Sequence, residues 1–428
     1  MGESIVFHID VNSAFLSWEA VYRVKHLGGE LDLRMIPSAV GGDISKRHGI
    51  ILAKSVPAKK YNIKTGEPVT DALRKCPNLI LVSPNYELYE KSSKAFIEIL
   101  EKYSDKVEQY SIDEAFMDMS GTESLFGVPV IAANAIKDEI YQKLGFTVNV
   151  GISNNKLLAK MASDFKKPNR VHTLFPEEIE KKMWSLPVGD LFFVGSASEK
   201  KLHALGIRTI GELAKADVNM LKSVLKKHGE VIWNFANGRD GSMVEPVPMD
   251  NKGYGNSTTI SFDVTDARTA KMVLLSLAET VGRRLRKDDV RIETVSVSIR
   301  FYDLRYVSHQ SVLKSATNIT KEIHDEACRL FDELWDGTPI RHLGVHTSRV
   351  RRNGNDRQLT LFDYTDYEKM EKLDRSIDSI REKFGADAVR RASFLKQDRI
   401  EHMSGGISKA MKLPLEKRIV DNRNEKVR

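Results

Sequence analysis

The chain has 428 residues, 41% of them hydrophobic, with 66 Lys and Arg against 59 Asp and Glu and a formal net charge of +7. That is apolar material for about two to four domains, and the basic excess suits a polyanionic partner. Cys76 and Cys328 are the only cysteines, which excludes a disulfide framework and a cysteine-based zinc site and fits a reducing cytoplasm. No apolar run approaches about 18 residues and the start lacks a signal pattern, so no membrane association is expected.

Ser4 to Asp10 reads as an apolar strand ending in an acid, and Val11 to Trp18 turns into a helix. A carboxylate at the C-terminal end of a buried strand stands where α/β sheets place ligands. The amides of Ser13 and Ala14 would meet an anion there. The alternative is that Asp10 or Asn12 only caps the helix.

Residues 26–80 change character, with Gly28-Gly29 and Gly41-Gly42 beside short strands and Ile50 to Ala53 as another strand. Lys54, Lys59, Lys60 and Lys64 follow. Lys59 and Lys60 match a triphosphate in charge, against the alternative of a solvated lysine face.

Helices are expected over 92–102, 130–143 and 154–164, with strands at 147–153 and 171–175 around a basic loop, Lys166 to Arg170. Between the first two helices, Tyr110 to Asp118 reads as two short strands joined at an acidic pair, Asp113-Glu114. Alone, this pair is as well explained by a solvated hairpin turn. Asp10, Asp113 and Glu114 are three separated carboxylates at strand ends or turns. If they converge, they form the pattern of two-metal phosphoryl transfer, and their oxygens suit Mg²⁺.

Phe193 to Gly195 and Lys201 to Leu213 read as short helices around glycine turns. Such a helix-hairpin-helix unit presents backbone amides, here at Gly195 and Gly206, to a phosphate; helix C-caps are the plain alternative. A linker is expected over 241–253. Then follow a strand at 255–262, a helix at 267–286, strands at 291–301 and 305–313, a helix at 318–335 and a strand at 340–350. That is the split-βαβ order. Val295, Val297, Ile299 and Phe301 alternate with Ser296, Ser298 and Arg300, so the latter three are expected on an open polar face along a nucleic-acid backbone. A plain solvated face is the alternative.

Past Val350 the chain turns polar, yet it carries the apolar peptide Gln358-Leu359-Thr360-Leu361-Phe362, expected to dock on a partner. Met370, Leu373, Ile377, Ile380 and Phe384 mark an amphipathic helix whose default is to pack on the body.

Together Ile9-Asp10 with Phe15, Ser111 to Phe116, Gly151 to Lys160 and Lys167-Pro168-Asn169 resemble the Y-family DNA polymerases, within them most the UmuC-type (impB/mucB/samB-like) lesion-bypass branch. The resemblance covers residues 1–350. It implies an α+β, mixed multidomain right-hand polymerase. The palm would span 1–25 and 81–175, the fingers 26–80, the helix-hairpin-helix thumb 176–240 and the split-βαβ little finger 254–350. A tail, 351–428, would carry the docking peptide and the helix. The implied function is low-fidelity, DNA-directed translesion synthesis in an SOS or DNA-damage response. Asp10, Asp113 and Glu114 would be catalytic and, with the Val11 carbonyl, would hold two Mg²⁺ ions. Ser13, Ala14, Phe15, Lys59 and Lys167 would bind the nucleotide, Phe15 as a steric gate against ribonucleotides. Residues 51–56 would roof the nascent pair, with Ala53, Ser55 and Val56 small. Gly195, Gly206, Ser296, Ser298 and Arg300 would meet DNA. Gln358, Leu359, Leu361 and Phe362 would bind a bacterial sliding clamp. Primer-template DNA and deoxynucleoside triphosphates are implied substrates, and SOS accessory subunits or a recombinase filament are candidate partners. A non-catalytic, clamp-tethered factor for damaged DNA is the alternative on the same fold; a metal-dependent nuclease or cyclase is a third. Two positions depart from the family pattern: Val56 replaces a common tyrosine, and Phe193 replaces the first glycine of the thumb hairpin.

Overall fold

A computed structural model describes residues 4–42, 49–247, 250–352, 366–395, 400 and 419–420. The first strand, β1 (Val6–Val11), is buried along its whole length and leads into α1 (Ala14–His26). Next come β2 (Ser38–Gly41), β3 (Ile51–Lys54), α2 (Val56–Lys59), α3 (Val69–Lys75), β4 (Ile80–Val82) and α4 (Tyr86–Leu100). A hairpin of β5 (Val107–Gln109) and β6 (Glu114–Asp118) follows, then α5 (Glu123–Phe126), α6 (Pro129–Leu144), β7 (Val148–Ser153), α7 (Lys156–Asp164) and β8 (Val171–Thr173).

These strands form two sheets. The first has the order β5-β6-β1-β7-β8; the second is β13-β4-β2-β3, where β13 (Ile419–Val420) comes from the far end of the chain. Side chains alternate across a strand, so Phe7, Ile9 and Val11 enter one core with Trp18, Tyr89, Phe96 and Ile136. Val6, His8 and Asp10 thereby face the other side, where α7 packs; Val6, Phe116 and Ala159 form a small cluster there. The second sheet leans on α1 through Leu16, Ala20, Val40, Ala53 and Val82.

Gly151 on β7 lets α7 approach its strand. A Cβ built there would lie 1.9 Å from the Ala159 carbonyl oxygen and 2.5 Å from the Ser163 amide nitrogen. Both atoms are helix backbone, so no side-chain rotation relieves the overlap.

Residues 179–236 are helical: α8 (Ile179–Lys182), α9 (Ser196–Ala204), α10 (Ile210–Lys215), α11 (Val218–Leu225) and α12 (Lys227–Ala236). Leu202, Ile210, Leu213, Leu221 and Ile232 share one core with Leu158 and Met161 of α7.

The last unit runs β9 (Gly253–Val264), α13 (Ala267–Lys287), β10 (Val290–Phe301), β11 (Tyr306–Thr317), α14 (Thr320–Leu334) and β12 (Ile340–Arg352), an antiparallel sheet of order β11-β10-β12-β9 with both helices packed on it. This is the β-α-β-β-α-β order read from the alternation. Val295, Val297, Ile299 and Phe301 are buried as expected, but Ser298 is buried as well. It sits in a central strand opposite Ser308 and Gly344, and His346 leans over it, Nε2 to Oγ 3.5 Å. A short side chain beneath the His346 ring is covered even on the polar face.

The amphipathic helix, α15 (Tyr367–Phe384), also differs from expectation. Leu373 and Phe384 are 59% and 67% exposed, while Asp374 and Arg381 are buried. The helix packs on α13 through charge. Arg286 donates from Nε to Asp378 (2.6 Å) and from Nη1 to Asp374 (3.2 Å) and to the Asn318 carbonyl (2.7 Å). Arg381 and Arg391 both donate to Glu279, at 3.2 and 2.7 Å. Buried charges of α13 therefore choose the face, ahead of the apolar stripe.

Candidate active site

The acidic turn is built by its own backbone. The amides of Tyr110 and Ser111 both donate to the Glu114 carbonyl, at 3.0 and 3.1 Å, closing residues 110–113. Ser111 Oγ donates to Asp113 Oδ1 at 2.7 Å, fixing that carboxylate. The Val11 amide donates to the Asp113 carbonyl at 3.0 Å, and Asp10 pairs across the strands with Glu114. Directly paired residues of neighbouring strands share a face, so the hairpin brings the acids of residues 113–114 beside the acid of β1.

A pocket of about 260 Å³ opens here. The first sheet and α1 supply Asp10, Val11, Ser13, Ala14, Phe15 and Asp113; the second sheet and its loops supply Leu52, Ala53, Lys54, Lys59 and Thr65. Of the residues singled out from the sequence, Asp10, Val11, Ser13, Ala14, Phe15, Lys59 and Asp113 therefore line one cavity. Neither Asp10 nor Asn12 caps α1: the N-cap is Ser13, in the left-handed region at φ 49°, with no side-chain cap. Asn12 instead donates to Asn149 (3.3 Å) and accepts from the Asn169 amide (2.9 Å).

Asp10 is 8% exposed, and burial pushes its carboxyl up to about 6 against the opposing pull of Lys167. Lys167 Nζ donates to Asp10 Oδ1 at 2.7 Å and is paired with Asp164 at 2.8 Å. Burial disfavours the Lys167 ammonium, but the charges and hydrogen bonds of Asp10 and Asp164 together outweigh it and hold its pKa above the usual value.

Glu114 does not reach the pocket. Its Oε2 accepts from Lys160 Nζ at 2.5 Å and lies 3.3 Å from His8 Nε2. Burial raises its pKa, but the bonds from His8 and Lys160 prevail and hold it down to about 2. Burial lowers the His8 pKa, and the Lys160 ammonium supplies a compensating charge for Glu114. Among the described residues, no three His, Cys, Asp or Glu side chains are gathered as a metal cage. Asp10 and Asp113 share the cavity, and Glu114 stands behind them.

Phe15 forms the cavity's aromatic floor. It stacks on Tyr89, centroids 4.5 Å apart, and meets Tyr86 edge-on at 6.2 Å. In the second sheet, Leu52, Ala53 and Lys54 line the cavity, whereas Ser55 is spent on structure: its Oγ accepts from the Ala58 amide at 3.1 Å and donates to the Ile36 carbonyl at 2.7 Å. Val56 and Lys60 are exposed outside the cavity lining.

Gly195 is the N-cap of α9, and Gly206, at φ 81°, follows its end. Phe193 adopts φ 75°, a left-handed conformation that glycine takes without strain. Ser296 is half-buried and Arg300 exposed. The peptide 358–362 lies outside the described residues. Among those, no helix is long and apolar enough to cross a membrane.

Sequence reasoning gave no role to Thr65, Tyr89 or Lys160, and placed Lys54 only within the segment 51–56. Lys160 lies within the quoted Gly151–Lys160 motif, four residues after Lys156 on the same helical face, which was the available signal. Tyr89 had none.

Comparison with known proteins adds three family models. The impB/mucB/samB family matches residues 9–164, its C-terminal domain residues 251–361, and a thumb domain described for DNA polymerase iota residues 189–240. DNA polymerase IV of Clostridium acetobutylicum is 45% identical over 395 residues, spanning 92% of this chain and 99% of that one. DNA polymerase IV of Acetivibrio thermocellus is 39% identical over 92% and 98% of the two chains. DNA polymerase IV 1 of Bacillus subtilis is 36% identical over 92% and 94%. Among solved structures, a Y-family DNA polymerase chimera superposes with a TM-score of 0.69 at 24% identity, covering 82% of this chain and all of that one.

Proposed function

Within the Y family of DNA polymerases, to which the chain belongs, we propose that it performs translesion synthesis by nucleotidyl transfer at the Asp10–Asp113 cavity. It is a DNA-directed DNA polymerase with the right-hand fold of the family. The matches carry the family and not its UmuC-type branch.

The observation that carries this reading is one cavity holding two carboxylates, an aromatic floor and finger-side lysines. Its donors toward a metal are all oxygens: the carboxylates of Asp10 and Asp113 and the Val11 carbonyl, with Glu114 adjacent. That set fits Mg²⁺, and Asp10 already accommodates a cation, the Lys167 ammonium. Asp10, Asp113, Val11 and Glu114 would hold two ions, whose chemistry is to activate the primer 3′-hydroxyl and neutralise the leaving pyrophosphate.

The chain's own residues do the rest. Phe15, pinned from below by Tyr89, lies under the sugar and leaves no room for a 2′-hydroxyl. The amides of Ser13 and Ala14 at the start of α1 and the ammonium groups of Lys59 and Lys167 meet the triphosphate. Ala53 and Leu52 give the roof no aromatic wall against a distorted base, which supports low fidelity and lesion bypass. Amides near Gly195 and Gly206, with Ser296 and Arg300, hold the primer-template duplex, so affinity falls with salt. Residues 358–362 would dock on a sliding clamp. An SOS role, accessory subunits or a recombinase filament, and a cytoplasmic location complete the proposal.

Primed template, Mg²⁺ and nucleotides, with products sized on a gel, test it. A longer strand is expected; a shortened strand means a nuclease, and an unchanged one a non-catalytic binder. Asp113→Ala and Glu114→Gln are expected to lose extension, and full activity in either sinks the assignment.

A further inference from the structure

Glu114 is held from two sides by groups that the reading above leaves without a role. His8, buried on β1, presents Nε2 to Oε2, with its Nδ1 2.8 Å from Ser163 Oγ. Lys160 approaches the same Oε2 from α7. Its Nζ also lies 5.3 Å from the centroid of the Tyr110 ring and 5.5 Å from that of Phe192. Tyr110 opens the turn that carries Asp113. Phe192 belongs to the matched thumb segment, 189–240, and meets Tyr110 edge-on at 6.5 Å.

The ammonium therefore has three faces occupied, by a carboxylate, a palm ring and a thumb ring. Its side chain is only 12% exposed, and it is absent from the cavity lining that holds Lys54 and Lys59. A lysine that met triphosphate or the DNA backbone directly would need an exposed head. A lysine serving stability alone gains little from a partly buried pair, whose desolvation offsets most of the attraction. What this arrangement fixes is direction: the Glu114 carboxylate has one orientation that satisfies both His8 and Lys160. Lys160 is in turn seated by Phe192, a ring of the matched thumb segment.

We infer that Lys160 is a positioning residue that sets the Glu114 carboxylate and links it to the thumb through Phe192. This rests on Glu114 being a catalytic carboxylate. A thumb engaged on duplex carries the Phe192 ring with it, and the attraction of that ring face draws the ammonium along. Engagement of the primer is thereby felt at the Glu114 carboxylate.

The test is single-nucleotide incorporation by the full chain on primed template with Mg²⁺. Lys160→Met keeps the length and removes the charge. Its kcat is expected to fall about 10–100-fold, the size of one charge-assisted hydrogen bond, with the nucleotide KM within about threefold. Lys160→Arg restores the charge and is expected to recover most of the kcat. A Lys160→Met enzyme with wild-type kcat, or one with raised KM and preserved kcat, overturns the inference. Should that variant melt early, Lys160→Gln, neutral but still a donor, replaces it with the same expectation. Glu114→Gln is run alongside: if it retains activity, the underlying reading fails; if it is dead while Lys160→Met is normal, only the inference fails. For the thumb link, Phe192→Leu is expected to lower kcat about threefold in the wild type and not at all in the Lys160→Met background, as coupled residues behave. Equal losses in both backgrounds overturn the link.

Discussion

Phe15 lies flat on Tyr89, the ring planes 9° from parallel. Tyr89 is fully buried, and its hydroxyl donates to Glu19 Oε1 at 3.1 Å. A ring backed in this way cannot tilt to admit an extra hydroxyl. Phe15→Ala is expected to raise the ratio of ribonucleotide to deoxynucleotide kcat/KM by at least about tenfold. Tyr89→Leu, which leaves Phe15 in place but unbacked, gives a smaller rise. An unchanged ratio in Phe15→Ala removes the gate role.

Gly151→Ala places a methyl group inside the backbone of α7. Strand and helix must separate, at a cost of about 3 kcal/mol, and more if the strand cannot shift. Chemical denaturation followed by a probe in the first sheet measures the loss. Gly121→Ala, where nothing lies within 4 Å but φ is 74°, is the control for backbone strain alone and should cost about 1 kcal/mol.

Arg286→Met removes the shared cation of Asp374 and Asp378. Asp374 keeps the Thr320 amide at 2.8 Å and the more distant Arg391 at 3.6 Å, but Asp378 loses its cation. Breaking a buried pair from one side costs about 3–5 kcal/mol. Helix α15 should loosen first, seen as faster proteolysis within 367–384 while 253–352 stays protected. Unchanged cleavage would show that the helix is held otherwise.

Glu139 ties α6 to the end of α4. It accepts from Lys143 (2.6 Å), Tyr103 Oη (2.6 Å) and Lys102 (3.4 Å), and the bond from Lys143 chiefly holds its carboxyl down to about 2. A depressed folded-state pKa gives stability that is complete above the unfolded value, near 4.5, and is lost as pH falls toward 2. The stability difference between wild type and Glu139→Gln should therefore shrink across that window and be flat from pH 5 to 8. A difference that persists at pH 2 would assign it to packing.

The unit 253–352 was legible because each of its elements is long and one-sided. β10 alternates from Val295 to Phe301, and α13 and α14 carry continuous apolar stripes. Alternation assigns a side chain to a face but not what covers that face, which is why Ser298 was misplaced. The acidic pair was legible as a turn because its neighbours are strand-forming, but the direction of Glu114 was not. That depends on Lys160 and His8, 46 and 106 residues away. The orientation of α15 was hidden for the same reason. Its stripe is real, yet the deciding partners are Arg286, 88 residues from Asp374, and Glu279, 102 from Arg381. Local pattern reports propensity, and long-range charge pairing decided between two available faces.

The Asp10 cavity lies between a heavily buried side and a lighter one. On the buried side, a six-residue strand is buried throughout, and a glycine contact denies α7 even a methyl group's slack. On the other side, a four-residue strand and a single-turn helix carry Ala53 and Lys59. Any change in the size of what is gripped must then be taken up by the lighter part. A template base of unusual shape would displace the roof and leave the distance from Asp10 to the reacting phosphate as it was.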